Sequence, residues 1–75
     1  MISIFKTSVD SHEDLTRLKL SLNSILDDLK WTIDLYDADR ILRVVSTVDR
    51  NTEVISVLND LGFHCENMAT FYSAP

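Results

Sequence analysis

The apolar residues of this chain recur first with a period of two and then with a period of about 3.6. Two further runs of period two follow, then another of about 3.6, and a last of two, which predicts the order β-α-β-β-α-β. Right-handed crossovers from each helix to a following strand turn that order into one arrangement. It is an α+β, ferredoxin-like sandwich with a four-stranded antiparallel sheet and both helices on one face. At 75 residues there is room for a single domain. It is expected over residues 1–68, with 69–75, which carry no pattern, as a C-terminal tail.

Each element has its own signal. The alternation of the first strand, over 2–8, is imperfect: Ile2 and Ile4 share one face and Met1 and Phe5 the other, so either both faces are partly covered or the strand carries a bulge. Leu15, Leu18, Leu22, Ile25, Leu26 and Leu29 fall at helical spacing, placing a helix over 12–27. Ser11 is its expected N-cap and Asp14 the capping-box partner three residues on. Trp31, Ile33 and Leu35 alternate with Thr32, Asp34 and Tyr36, and Ile41–Ser46 is rich in β-branched residues; Asp37–Arg40 is the expected hairpin loop between them. A second helix over 50–61 is capped by Asp49 or Asn51, buries Val54, Val57, Leu58 and Leu61, and ends at Gly62 in a left-handed conformation. Phe63–Met68 is the last strand, with Phe63 and Cys65 facing inward.

Composition removes several classes of function. One Gly and one Pro exclude collagen-like and phosphate-cradling glycine-loop architectures, and one Cys excludes an internal disulfide framework or a multi-thiolate zinc site. Twelve acids against seven bases give a net charge of −5 without a basic cluster, so neither nucleic acid nor an anionic membrane is an expected partner. The N-terminus holds too few apolar residues for a secretory core or a membrane span. A lone thiol without such a signal fits a reducing cytoplasm.

Three segments, Phe5-Lys6-Thr7-Ser8-Val9, Asp39-Arg40-Ile41-Leu42-Arg43-Val44 and Leu58-Asn59-Asp60-Leu61-Gly62-Phe63, together with the first helix, resemble heavy-metal-associated domains, the copper-chaperone-like modules of the same βαββαβ order. The resemblance covers about residues 2–67. It implies a metal loop after the first strand, where that family carries a C-x-x-C motif at the start of a helix. Thiolates suit soft ions such as Cu(I), and the helix N-terminus stabilises their charge. Aligned on Val9, the two ligand positions are Ser11 and Asp14 here, and neither supplies sulfur. The implied metal function is therefore not expected to carry over.

Other constellations are thin. His64 and Cys65 are neighbours on a strand and point to opposite faces, and Cys65 reads as a small core residue. A weak zinc or copper site drawing on His12, Asp14 and His64, or on Cys65, is the alternative with substituted ligands. No Ser–His–acid or Cys–His spacing suggests catalysis, so no enzyme and no cofactor are expected. The expected function is a small, cytoplasmic, non-enzymatic protein-interaction module. It would bind a protein partner or self-associate, through the open sheet face (Thr32, Asp34, Tyr36, Arg43 and Val45) or an edge strand. A small-molecule-sensing, ACT-like dimer is the third reading.

Overall fold

The computed structural model describes residues 1–25 and 30–72. Among the described residues the elements are β1 (Ile2–Thr7), α1 (His12–Ile25), β2 (Lys30–Ile33), β3 (Leu42–Val45), α2 (Asn51–Asp60) and β4 (Cys65–Phe71). The strands form one antiparallel sheet in the order β2-β3-β1-β4. Each helix thus carries the chain past one strand, α1 past β3 and α2 past β1, which is the ferredoxin-like arrangement that the alternating periods dictate.

Alternation along β1 sets the two faces of the sheet. Ser3, Phe5 and Thr7 are buried, whereas Ile2 and Ile4 are half-buried and Lys6 is exposed. Phe5 joins Leu42 and Val44 of β3, Leu18 and Leu22 of α1, and Val54, Val57 and Leu58 of α2 in one hydrophobic core. Trp31 and Ile33 of β2 are packed against its margin. Both helices therefore cover the same face. Full burial of each such Leu or Phe contributes about 1.5–3 kcal/mol, the main stabilising contribution available to a small domain.

The helix ends follow from local chemistry. The Ser11 hydroxyl accepts the Asp14 N–H at 3.1 Å, and the Ser11 carbonyl accepts the Leu15 N–H, so Ser11 caps α1. The return arm of the capping box is not formed among the described residues, because an aspartate is one methylene shorter than the glutamate that usually makes it. For α2 the expected cap is corrected: Arg50 occupies the N-cap and makes no side-chain cap bond. Asp49, one residue earlier, accepts the Asn51 N–H at 2.9 Å, and the Asn51 amide instead reaches Thr70 in β4. At the other end, Phe63 N–H donates to the Leu58 carbonyl and Gly62 N–H to that of Asn59. With Gly62 at φ +89° this is a Schellman motif. The Arg17 guanidinium lies 5.6 Å from the centre of the Phe63 ring and donates to the Leu61 carbonyl, tying α1 to this turn.

β2 and β4 differ from expectation at their ends, with β4 starting at Cys65 so that Phe63 and His64 precede the strand, and Leu61 caps α2 half-buried instead of joining its buried stripe. β2 stops at Ile33, so Leu35 and Tyr36 belong to a loop over 34–41 rather than to a strand. The cause is a pair of aspartates whose carboxylates accept amides two residues on, Asp34 from Tyr36 and Asp37 from Asp39, turning the chain early. β4 runs on to Phe71, so residues 69–71 are sheet rather than tail. Ala69, Thr70 and Phe71 pair with Ile4, Ser3 and Ile2, after a bulge that leaves Met68 without an opposite residue. The expected burial of Ile25, Leu26 and Leu29, and the end of the first helix at 27, lie outside the described side chains, as does the end of the tail.

Candidate functional site

Among the described residues nothing covers the sheet face opposite the helices, and the registers fix what stands on it. Lys30, Val45, Ile2 and Phe71 pair in one row across all strands. Thr32, Arg43, Ile4 and Ala69 form the next. Lys6 opposite Glu66 forms a third. The first row is apolar at its centre and its β4 end. Val45 is 37% exposed and Phe71 57%, with Met68 and Tyr72 also exposed on or just after the same strand. Single exposed apolar residues are common, but a row of them in register across an open sheet face is not explained by folding.

Three of the expected surface residues, Thr32, Arg43 and Val45, stand together on this face. Asp34 and Tyr36 lie past the end of β2, where they line one groove together with Thr32 and Arg43. Asp34 follows β2 and uses its carboxylate on the Tyr36 amide, while Tyr36, 93% exposed, sits in the loop. Ile2, Lys30 and Phe71 were not among the expected surface residues. Ile2 and Ile4 sharing a face of β1 was the available signal for the first. Phe71 gave none, because the bulge resets the alternation of β4.

A second feature runs along the helix side of the β2 edge. The α1 stripe Leu15, Lys19 and Asn23 faces Trp31 and Ile33 across a groove of ≈ 550 Å³. A neighbouring groove of ≈ 580 Å³ runs from His12 and Leu15 round the edge to Thr32, Asp34, Tyr36 and Arg43. The Trp31 indole N–H donates to the Asn23 side chain at 3.3 Å, fixing the ring against α1.

The remaining candidates do not assemble. The Ser11 hydroxyl is engaged in capping α1, and Asp14 contributes its main-chain N–H to that cap. Among the described residues no three His, Cys, Asp or Glu side chains come close enough to hold a metal ion, so His12, Asp14, His64 and Cys65 do not form the weak site considered above. His64 lies 4.0 Å from Glu66 on the surface, and its backbone pairs with Ser8. Cys65 is buried on the helix side, and burial pushes its thiol up to about 11, so it is protonated and unreactive at neutral pH. No helix among the described residues is long and apolar enough to cross a membrane. No protein-family model, curated protein or solved structure matches this chain.

Proposed function

We propose that the chain is a small non-enzymatic module that binds another protein through the open face of its sheet. The observation that carries this reading is the in-register row Val45–Ile2–Phe71, apolar and uncovered. Lys30 and Arg43 border it on the β2 and β3 side. An apolar centre with a basic rim suits a partner that presents an apolar side chain flanked by acids. On the motifs quoted above, the module is related to heavy-metal-associated domains and has exchanged its thiolate ligands for a helix cap. Its one thiol, buried and protonated, suits a reducing cytoplasm. The test is positional: a photoreactive side chain placed at Val45 or Phe71 captures a protein that the same group at Ser56, on the exposed side of α2, does not.

A further inference from the structure

The hydrogen-bonding parity of the β2 edge follows from two bonds. Asp34 N–H donates to the Ile41 carbonyl at 2.9 Å, and Ser46 N–H donates to the Met1 carbonyl at 3.0 Å. Bonded and non-bonded pairs alternate along an antiparallel ladder. The first bond therefore makes Thr32–Arg43 and Lys30–Val45 bonded pairs. The second directs Val44 and Leu42 toward β1, which leaves Arg43 and Val45 for β2 and agrees with the first. The main-chain N–H and C=O groups of Trp31 and Ile33 consequently point away from β3, off the edge of the sheet.

The two edges of the sheet are not alike. β4 is interrupted by its bulge, and the Asn67 amide there donates to the carbonyls of Ile4 and Ala69, a device that discourages pairing. β2 is regular, and the groove beside Trp31 and Ile33 leaves room on its helix side.

We propose that the β2 edge pairs with the β2 edge of a second copy of this chain, antiparallel about a two-fold axis at Thr32. In that register Trp31 exchanges both main-chain bonds with Ile33 of the second copy, and Ile33 does so with Trp31. Centring the axis on Trp31 or Ile33 instead brings only one of these outward-facing residues onto its own equivalent. At Thr32 the charges also match, since Lys30 stands opposite Asp34 of the second copy, twice over by symmetry. Among the described residues Lys30 makes no ion pair, and Asp34 has one carboxylate oxygen engaged, by Tyr36. Asp27 and Asp28 lie outside the described residues. On the helix side Trp31 faces Ile33, and on the open side Thr32 faces Thr32; both are favourable cross-strand pairs. The two sheets become one continuous sheet with both apolar rows on the same side. The pairing uses the edge and does not depend on the open face binding a partner. Short strands bury little, less than about 1,200 Å², so the dimer is weak and forms at high protein concentration.

Sedimentation equilibrium of the full chain, of Lys30→Glu and of Asp34→Lys, each alone and as an equimolar mixture, tests this. The parent dimerises with rising concentration. Each variant alone sets like charges opposite each other and dimerises about tenfold more weakly. The mixture recovers the dimer, because the new carboxylate then meets the new ammonium and the native pair forms at the other end. Added salt weakens the parent dimer and strengthens that of Lys30→Glu, a readout that needs only this exposed-site variant to fold. A parent that stays monomeric at millimolar concentration overturns the proposal. So do variants that dimerise as tightly as the parent, or two folded variants whose mixture stays monomeric.

Discussion

The Thr7 hydroxyl donates to the Arg40 carbonyl at 2.7 Å across 33 residues of sequence, and the same oxygen accepts the Val9 N–H at 3.3 Å. One side chain at the end of β1 therefore holds both the loop over 34–41 and the entry to α1. The Thr7 N–H adds a bond to the Asp39 carbonyl, and Lys6 reaches the Asp39 carboxylate at 3.5 Å in an exposed pair of small worth. Arg40 sits at φ +47°, and the bond to its carbonyl helps hold that conformation.

Thr7→Val keeps the shape and removes the hydroxyl, leaving the buried Val9 N–H without a partner. Urea denaturation should show a loss of about 1–3 kcal/mol with an unchanged slope. Amide exchange should quicken over residues 34–41. A loss below a few tenths of a kcal/mol means that the hydroxyl bond is not holding the loop.

Ser11→Ala removes the cap of α1 and should cost about 1 kcal/mol in the same assay. The paired change Ser11→Cys with Asp14→Cys tests the likeness to metal-binding domains. It should lower stability without metal and restore it when Cu(I) is added under reducing conditions, whereas the parent shows no Cu(I) response. A folded double variant indifferent to Cu(I) would show that the two positions do not converge.

At Gly62 an added Cβ meets nothing within 4 Å, so the cost of Gly62→Ala is that of the backbone alone. At φ +89° it should be about 1–2 kcal/mol, seen as a lower melting temperature with an unchanged core. A neutral result would mean that the turn after α2 relaxes to another conformation.

Cys65 carries the pH dependence. Its folded pKa of about 11 lies above the value of a free thiol, because burial disfavours the thiolate. The sign follows from linkage: the unfolded chain releases this proton first, so the contribution is complete at neutral pH and is lost as pH rises from about 8.5 toward 11. Stability measured across that window should fall, and Cys65→Ala should flatten the fall attributable to this residue. Alkylation of the native thiol at neutral pH should be slow and accelerate on unfolding; fast native labelling would contradict its burial.

The fold was legible because each core stripe keeps a clean period: Leu18 and Leu22 on α1, Val54 and Leu58 on α2, Leu42 and Val44 on β3 all lie in the core where spacing puts them. The candidate surface was legible only in part. Thr32, Arg43 and Val45 follow from the alternation of β2 and β3, whereas Asp34 and Tyr36 reach the groove beside Thr32 and Arg43 from an aspartate turn rather than from a strand. Phe71 was hidden for a different reason. The bulge beside Met68 shifts the phase of β4, so a pattern read from Phe63 and Cys65 runs out before the residues that complete the row.

Photo-crosslinking in cells that naturally produce the protein tests the central claim most directly. A photoreactive side chain at Val45 or Phe71 should give the same discrete adduct, heavier than a dimer of this chain, while one at Ser56 gives none. Adding Ile2→Asp, which puts a charge at the middle of the row on a position already half-exposed, should abolish the adduct and leave the fold intact by circular dichroism. Adducts from Ser56 equal to those from Val45, or none from the row at all, would contradict the reading of the open sheet face as a protein-binding surface.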